Sequence, residues 1–340
     1  MNKNRTMKAM AIKAYGNEDQ FELMEVPFPE VKSGELLIRV AYAGLNPADW
    51  KYREGFLAQH VNIPFPGILG NDFSGIVVEV GEGVTDFAPG DKVFGFTNIY
   101  KGSTGSYAEY VAVDQNMTVK VPDNVSLKSA AVLPTAGNTS WQNMFYTNRG
   151  SLQKGHKVFI NGGSGGLGSF AIQYAKWIGA EVATTTGKYN IDYVRSLGAE
   201  LVIDYQNQDI SSELKKWAPK GVDLVLDLVG AKSLPNVLDM ITTGGKLVNI
   251  PTMDPNMDGD VPKQMEEAAQ SGVTKIYDFP KLENFSKDIT QVVNLLAEGS
   301  IKDPAIEVFD FENVADAHKK MQTGKTHGKL VLEVGGESIN

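Results

Sequence analysis

The chain has 340 residues, 42% hydrophobic and 21% charged, which is a globular composition and long enough for two domains. Its net charge is -9 and its basic residues form no cluster, which argues against nucleic acid as the main partner. It has no cysteine, which excludes disulfides, thiolate nucleophiles and cysteine-built zinc sites. No apolar stretch approaches the ~20 residues that span a bilayer and no apolar signal region follows Met1, so we expect a cytoplasmic protein without a membrane partner.

The first third of the chain reads as short strands separated by turn residues. Many short strands with Gly and Pro between them predict a barrel or a rolled antiparallel sheet. Two short helical turns are expected to interrupt it, one of them near residues 46–54. The predicted strands are residues 8–14, 21–26, 36–43, 75–80, 91–96, 107–113 and 117–121.

The pattern changes at Ser126, the predicted N-cap of a helix over 127–133 that Pro134 ends before a second helix over 137–146. Strands and helices then alternate to about residue 250, which predicts a parallel sheet covered on both faces. The predicted strands are 157–161, 181–184, 201–203, 222–227 and 246–250. The predicted helices are 169–178, 192–197, 210–217 and 233–240.

The last quarter begins with a polar stretch without period, residues 252–265, which we interpret as a surface loop. A strand over 272–279 and an amphipathic helix over 284–298 follow. The tail predicts a strand, a helix and a strand, at 305–309, 314–321 and 328–334.

A glycine-rich turn joins the apolar strand at 157–161 to the helix that follows. Gly163, Gly165 and Gly168 have the spacing GxGxxG within a strand–helix–strand unit. The first glycine permits the tight turn, the second lets the backbone approach a pyrophosphate, and the third lets helix and strand pack closely. The helix start then binds the phosphates through its free N–H groups. The turn predicts dinucleotide binding by Gly163, Ser164, Gly165, Gly166, Leu167 and Gly168.

The residues that would bind the adenosine ribose contain no acid. An NAD site places Asp or Glu about 20 residues after the turn. Here the stretch reads Thr184-Thr185-Thr186-Gly187-Lys188. Hydroxyls and a lysine can donate to a 2′-phosphate that a carboxylate would repel, so the sequence favours NADPH through Thr184, Thr185 and Lys188. The alternative is that Lys188 is a solvated turn lysine.

Small hydroxylated residues at 133–139 form a second candidate cofactor contact. Thr135 and Thr139 are candidates for lining the nicotinamide pocket. Helix-start chemistry and packing explain these two threonines equally well.

Several of these stretches, in this order, make the chain resemble the medium-chain dehydrogenase/reductase family, specifically its zinc-free quinone oxidoreductase branch. They are residues 43–49, 70–77, 83–93, the glycine turn and 324–332, and the resemblance spans nearly all of 7–334. It implies an α/β fold with two domains. These are a GroES-like β-rich catalytic domain at 7–125 and 280–334, and a Rossmann doubly wound parallel-sheet domain for NADP at 126–279.

The resemblance also argues against a metal. Where the family's alcohol dehydrogenases hold zinc with a cysteine and a Gly-His-Glu motif, this chain has Asn46 for the cysteine, Asn71 for the histidine and Asp72 for the glutamate. Amides are poor zinc ligands, and the chain's four histidines lack ligand spacing. We therefore predict no metal.

Without a Lewis acid the favourable reaction is hydride addition to a quinone or an α,β-unsaturated carbonyl, with the proton coming largely from solvent. In zinc-free relatives an asparagine matching Asn46 lies near the nicotinamide, so Asn46 is a candidate to hydrogen-bond the cofactor or the substrate carbonyl. Tyr52 is a second catalytic candidate, which aromatic packing explains as well. Related enoyl thioester reductases have a tyrosine where this chain has Leu57, which counts against that activity.

Further cofactor contacts follow from the resemblance alone. It places Tyr205 beside the 2′-phosphate, Val229 on the adenine or ribose side, and Ile250 and Thr252 at the nicotinamide, and Lys329 belongs to the family's Gly-Lys tail motif. Each of these residues can instead pack at the end of a strand. Relatives also dimerise through the strand that matches 272–279, and an unpaired sheet edge favours such pairing, so we expect a homodimer.

The leading hypothesis is an NADPH-dependent, zinc-independent oxidoreductase that transfers hydride to a small hydrophobic quinone or enone. Two alternatives stay open. The first is an alkenal or enone reductase with little quinone activity, and the second is a NADPH-binding sensor or structural protein with little turnover.

Overall fold

A computed structural model describes residues 5–58, 63–99 and 104–337 of the chain. Its contacts divide the chain into two compact units. The first unit contains Met1–Asn138, Glu283–Gly299 and Ala305–Asn340, and the second contains Thr139–Leu282 and Ser300–Pro304. Residues 126–138, which the sequence assigned to the second domain, therefore lie in the first unit.

The elements are numbered in chain order. The described strands are β1 (Thr6–Ile12), β2 (Phe21–Pro27), β3 (Glu35–Gly44), β4 (Gly67–Ile68), β5 (Asp72–Val80), β6 (Lys92–Phe96), β7 (Tyr110–Asp114), β8 (Thr118–Lys120), β9 (Lys157–Asn161), β10 (Glu181–Thr186), β11 (Leu201–Asp204), β12 (Val222–Asp227), β13 (Ile241–Asn249), β14 (Thr274–Tyr277), β15 (Ile306–Asp310) and β16 (Lys329–Glu333). The described helices are α1 (Pro47–Arg53), α2 (Leu127–Ala130), α3 (Asn138–Phe145), α4 (Gly166–Ile178), α5 (Ile191–Ser196), α6 (Ile210–Trp217), α7 (Pro255–Asp258), α8 (Val261–Gln270), α9 (Phe285–Ala297) and α10 (Val314–Gln322).

The first unit is built on mostly antiparallel sheets, as the short strands predicted. One sheet has the order β15-β16-β3-β5-β6-β8 with β7 also pairing β3, and a smaller one has the order β2-β1-β4. Strands β15 and β16 pair in parallel, and β16 pairs antiparallel with β3. The tail strand β16 therefore brings Lys329 beside the end of β3, where α1 begins.

The second unit contains a six-stranded parallel sheet in the order β11-β10-β9-β12-β13-β14. The order reverses between β9 and β12, and such a switch point is where open parallel sheets bind dinucleotides, beyond the carboxyl ends of the strands. Alternate side chains of β9 point to opposite faces of the sheet and pack in different hydrophobic clusters. Val158 and Ile160 belong to one cluster and Phe159 to another. Both faces are thus covered, which confirms the predicted doubly wound α/β fold.

The predicted loop at 252–265 was wrong, because this stretch contains α7 and the first half of α8. The side chain of Asp260 caps α8 by accepting the Lys263 N–H, and Pro262 stands in the first turn. Ala268 is the buried residue of α8, so the helix lacks the apolar period that would have shown it in the sequence.

The predicted helix at 233–240 was also wrong. The stretch contains two separate 3₁₀ turns, Ala231–Ser233 and Val237–Met240. Pro235 cannot donate to a helix, and Asn236 takes a left-handed conformation with φ 58°. The helix that begins at Ser126 is shorter than expected, since α2 ends at Ala130 and a π-helical turn, Leu133–Gly137, carries Pro134. None of the described helices is long and apolar enough to cross a membrane.

Candidate functional site

The glycine turn lies between β9 and α4 of the second unit. A Cβ at Gly163 would lie 2.0 Å from Thr184 Oγ1, and one at Gly168 would lie 2.3 Å from the carbonyl oxygen of Gly162. Both are far inside van der Waals contact, so the first and third glycines of the motif are required for packing.

Gly165 differs from its two partners. A Cβ there would meet only the Gly162 carbonyl oxygen, at 3.6 Å, and its φ of -74° suits any residue. Neither packing nor backbone conformation requires glycine at this position, so the open space beside it fits the close approach of a pyrophosphate. Gly165 is also the N-cap of α4, has no side chain to cap it, and leaves the first N–H groups of the helix available. The residues present therefore fit a dinucleotide.

The two threonines predicted to contact a 2′-phosphate are buried and their hydroxyls donate elsewhere. Thr184 Oγ1 donates to the carbonyl oxygen of Ile160 at 2.7 Å. Thr185 Oγ1 donates to Asn161 Oδ1 at 2.7 Å and accepts the Gly162 N–H at 2.9 Å. These hydroxyls hold the turn in place, and both of their protons are donated within the protein.

Lys188 and Tyr205 stand exposed just after β10 and β11. The Lys188 ammonium lies 4.9 Å from the ring centre of Tyr189, and Tyr205 is 56% exposed. A Cβ on Gly187 would lie 3.9 Å from the Tyr205 hydroxyl, so that hydroxyl is adjacent to the end of β10. The nearest acid in this register, Asp204, faces its own turn, where it accepts from Gln206 N and Asn207 Nδ2.

The remaining predicted contacts of the second unit follow the ends of β12 and β13. Val229 is 38% exposed, and its N–H donates to Asp227 Oδ1 at 3.1 Å. Ile250 is half-buried, and Thr252 donates its N–H to the Asp258 carboxylate at 3.1 and 3.2 Å. Thr139, in α3, is 9% exposed, and its carbonyl oxygen accepts from Asn143.

In the first unit, four residues from separate parts of the sequence meet in a buried polar cluster. The Lys329 ammonium donates to Asn46 Oδ1 and to the carbonyl oxygen of Leu45, both at 2.6 Å, and lies 3.9 Å from Asp72 Oδ2. Asn46 Nδ2 donates to Asp72 Oδ2 at 2.9 Å. Thr135 completes the cluster by donating Oγ1 to Asp72 Oδ1 at 2.5 Å and its N–H to Oδ2 at 3.2 Å. We call these four side chains, Asn46, Asp72, Thr135 and Lys329, the Lys329 cluster.

A second chain of buried groups ends on Asp49, at the start of α1. The N–H of Asn46 donates to Asp49 Oδ2 at 2.8 Å, and the Tyr107 hydroxyl donates to the same oxygen at 3.1 Å. Arg53 lies 3.2 Å from His318 Nδ1, and His318 Nε2 lies 3.2 Å from the Tyr107 hydroxyl. Since the guanidinium can only donate, the proton of the imidazole stands on Nε2 and points to the tyrosine.

Burial dominates the electrostatics of both groups. It raises the pKa of Asp49 to about 7, while the Asn46 N–H and the Tyr107 hydroxyl act in the opposite direction. It also raises the pKa of Asp72, against the effect of Lys329, and it lowers the pKa of Lys329, against the effect of Asp72. Within the Lys329 cluster, burial therefore opposes the charged forms of Asp72 and Lys329, and each of the two charges partly offsets that effect on the other.

Tyr52, the second catalytic candidate, is 1% exposed and packs in the hydrophobic cluster that includes Leu45 and Tyr107. Its position is that of a core aromatic residue. Sequence reasoning missed Asp72 and the Asp49 chain as site residues, and in the second unit it missed Asn161, Asp227, Asn249 and Lys275. The available signal was that polar residues end the buried strands β9, β12 and β13.

The residues that match the zinc ligands do not fit a zinc ion. Asn46 Oδ1 accepts from the Lys329 ammonium, and Asn71 Oδ1 accepts the N–H of Ile99. A zinc ion here would have to displace or deprotonate a buried cation and would find amide oxygens in place of thiolate or imidazole. Elsewhere in the described part of the chain, no three His, Cys, Asp or Glu residues are grouped to hold a metal.

The fold and the glycine turn define an oxidoreductase that uses a nicotinamide cofactor. A family model for the alcohol dehydrogenase GroES-like domain matches residues 32–123, and one for zinc-binding dehydrogenase matches residues 197–332. The chloroplast envelope quinone oxidoreductase homolog of Arabidopsis thaliana is 32% identical over 335 residues, covering 97% of this chain and 99% of that protein. The chain belongs to the medium-chain dehydrogenase/reductase family, in its quinone oxidoreductase branch.

Two further comparisons support this membership. The NADPH-dependent alkenal/one oxidoreductase of Arabidopsis thaliana chloroplasts is 30% identical, covering 96% of this chain and 80% of that protein. The solved structure of the quinone oxidoreductase from Coxiella burnetii superposes with a TM-score of 0.86 at 32% identity, covering 97% of this chain and 100% of that one.

Proposed function

We propose that this oxidoreductase is NADPH-dependent and zinc-independent, and that it transfers hydride to a quinone or an α,β-unsaturated carbonyl. The observation that carries the proposal is the Lys329 ammonium, held by Asn46 beside Asp72 where metal-dependent relatives place zinc ligands. A lysine can stabilise charge that develops on an acceptor oxygen, but it cannot activate an alcohol as a metal does. Acceptors that are already electrophilic are therefore the substrates suited to this site.

The chain's own residues would bind and orient the acceptor and handle its proton. The reduced nicotinamide, when bound, supplies the hydride. Asn46 and Lys329 hold the N–H groups that can stabilise negative charge on the acceptor oxygen. Thr135 Oγ1 carries a hydroxyl proton that it donates to Asp72 Oδ1 and that it can turn toward the acceptor oxygen. Solvent completes the proton supply.

The preference for NADPH is supported by the groups at the ends of β10 and β11. Lys188 and the Tyr205 hydroxyl are available to a 2′-phosphate, while Asp204 is engaged in its own turn. The alkenal/one oxidoreductase relative is also NADPH-dependent by name. The phosphate contact therefore rests on Lys188 and Tyr205, without Thr184 and Thr185.

Quinone and enone acceptors are both represented among the relatives' names. An alkenal or enone reductase with little quinone activity is the second candidate, favoured by the second of these. A panel of quinones, enones and aldehydes with NADPH consumption as the readout separates the two, and alcohols are tested in the reverse direction by reduction of NADP+. Turnover of quinones and enones without alcohols supports the proposal, and absence of turnover with every acceptor points to a NADPH-binding sensor or structural protein.

We also propose a homodimer formed through β14. This strand ends the parallel sheet and pairs only with β13 among the described strands, so one edge of its backbone is unpaired. Light scattering of the purified protein tests it, since a single-chain mass at micromolar concentration contradicts the dimer. The expected cytoplasmic location is tested by cell fractionation.

A further inference from the structure

Buried polar side chains form a continuous series across five neighbouring strands in the second unit, at the carboxyl ends of four of them. They come from β14, β13, β12, β9 and β10 and are, in that order, Lys275, Asn249, Asp227, Asn161 and Thr185. None is more than 8% exposed. The series crosses the switch point between β9 and β12, the place where the family's nicotinamide cofactor is expected. We call it the strand-end series.

At the centre of the series is the Asp227 carboxylate, which accepts from both sides. Asn249 Nδ2 donates to Asp227 Oδ2 at 2.7 Å, and Asn161 Nδ2 donates to Oδ1 at 2.8 Å. Lys275 donates its ammonium to Asn249 Oδ1. Because the ammonium can only donate, it fixes which way the Asn249 amide faces, and the amide in turn faces its N–H to Asp227.

The other end of the series holds the glycine turn. Thr185 Oγ1 donates to Asn161 Oδ1, which leaves the hydroxyl oxygen to accept the Gly162 N–H at 2.9 Å. The N–H groups of Val229 and Gly230 also donate to Asp227 Oδ1, at 3.1 and 3.2 Å. The series thus orients the glycine turn and the loop after β12 from one carboxylate.

A buried carboxylate needs a compensating charge, and Lys275 is the cation in the series. Burial lowers the pKa of Lys275, while Asp227 and Asp258 act to raise it. Removing one partner of a buried pair leaves the other charge uncompensated and lets its surroundings rearrange to reach water. The groups that would rearrange around Asp227 are the donors from the two cofactor loops.

Tyr277 orients a third loop in a similar way. It lies two residues after Lys275 on β14 and therefore on the same face of the strand. Its hydroxyl donates to Asp258 Oδ2 at 2.8 Å, and the Asp258 carboxylate accepts the Thr252 N–H. The edge strand β14 thus fixes the segment after β13 as well.

We propose that Lys275 and Tyr277 are positioning residues that hold the cofactor-binding loops in their binding conformation through Asp227 and Asp258. The proposal rests on the proposed function in one respect: it requires that a nicotinamide dinucleotide binds the glycine turn. Because the loops bind parts of the dinucleotide common to both cofactors, losing either side chain weakens NADPH and NADH binding alike. It leaves the rate at saturating cofactor little changed.

The test compares Lys275→Met with Lys246→Met by fluorescence titration of NADPH and NADH and by steady-state kinetics. Lys246 is the matched control, because it lies on the adjacent β13 and hydrogen-bonds a backbone carbonyl, that of Thr147, away from the series. We expect Lys275→Met to raise the Kd and KM of both cofactors about 10-fold, with kcat changed less than two-fold. Lys246→Met should leave both constants unchanged.

The double variant Asp227→Asn with Lys275→Met adds a readout that a merely structural role would not move. Without the ammonium the Asn249 amide can turn and accept from the new amide, so affinity for both cofactors should recover relative to Lys275→Met alone. Tyr277→Phe, which keeps the ring, should raise both Kd values at least three-fold. If circular dichroism shows that Lys275→Met is unfolded, Tyr277→Phe is the variant that tests the proposal.

A folded Lys275→Met that binds both cofactors within three-fold of wild type overturns the proposal, as does an unchanged Tyr277→Phe when Lys275→Met is unfolded. Failure of the proposed function looks different. A wild-type protein that binds neither cofactor removes it, and one that binds NADH as tightly as NADPH removes only the phosphate assignment.

Discussion

The Lys329 ammonium and the Asn46 amide oxygen are 2.6 Å apart, although 283 residues separate them in the chain. The contact joins the last strand of the first unit to the start of α1. It brings a buried cation to the position that matches a zinc ligand in metal-dependent relatives.

Lys329→Met should destabilise the protein by about 3 kcal/mol, because Asp72 would be left buried without its cation. Urea unfolding measures the change. The exposed Lys325→Met, from the same tail, is the control and should fall within about 0.5 kcal/mol of wild type. Asp72→Asn combined with Lys329→Met should regain most of the loss, and a double variant no better than the single one would show that charge pairing is not the cause.

Gly165→Ala and Gly168→Ala should separate binding from folding. The Gly165 methyl group meets ordinary contact only, so the melting temperature should stay within about 2 °C while both cofactors bind at least about 10-fold more weakly. The Gly168 methyl group would lie 2.3 Å from a backbone oxygen, so this variant should lose several kcal/mol of stability. Equal effects of the two substitutions on the melting temperature would contradict the assignment of the open space beside Gly165 to the cofactor.

Lys188→Ala should raise the KM for NADPH by about 10- to 100-fold, as expected for loss of a charge-assisted contact to phosphate. The KM for NADH should not change, since NADH lacks the phosphate. Lys154→Ala, another exposed lysine of the second unit, serves as the control. An unchanged KM for NADPH would show that Lys188 is a solvated turn lysine without a contact to the 2′-phosphate.

Asp49 predicts a pH dependence of stability. Its pKa is raised from 3.8 to about 7 in the folded protein, so between these values the folded state binds the extra proton and the unfolded state does not. Stability should therefore fall as the pH rises through this window, by at most about 1.4 kcal/mol per pH unit from this group. The raised pKa of Asp72 acts in the same direction.

Asp49→Asn is the matching variant for this slope. Asp49 Oδ1 has no hydrogen-bond partner among the described residues, so an amide nitrogen can stand there while the other atom still accepts from Asn46 and Tyr107. Urea midpoints at pH 5.5 and 8 should differ less in the variant than in wild type. Equal slopes in the two proteins would assign the effect to another group.

Local patterns in the sequence predicted much of the second unit. The bounds of β9, β12 and α6 agree with the expected ranges. The two strands are apolar runs and the helix has one apolar face, and residues that favour turns or caps flank each of them. The helix α8 was missed because it buries little, and its cap at Asp260 was the remaining signal. The GxGxxG turn was found because its glycine spacing is a local pattern, and the close contacts at Gly163 and Gly168 explain two of its three glycines.

The contacts that form the candidate site are long-range, and local patterns cannot show them. Asn161 and Asp227 are 66 residues apart, and Lys275 and Asn249 are 26 apart on different strands. The sequence singled out Asn46, Thr135 and Lys329 one by one, but their meeting on Asp72 depends on how β3, β5 and β16 pair. Thr184 and Thr185 were assigned to a phosphate because the sequence alone does not show that their hydroxyls are buried. That burial depends on the strands packed around them.

Protein stripped of metal should still transfer hydride, and this result separates a zinc-independent enzyme from a zinc-dependent one. The protein is dialysed against EDTA, its zinc content is measured, and NADPH deuterated at C4 of the nicotinamide is mixed with an enone and, separately, with a quinone. We expect NADPH oxidation at the rate of untreated protein and deuterium at the β-carbon of the reduced enone. Activity that disappears with EDTA and returns with stoichiometric zinc would contradict it.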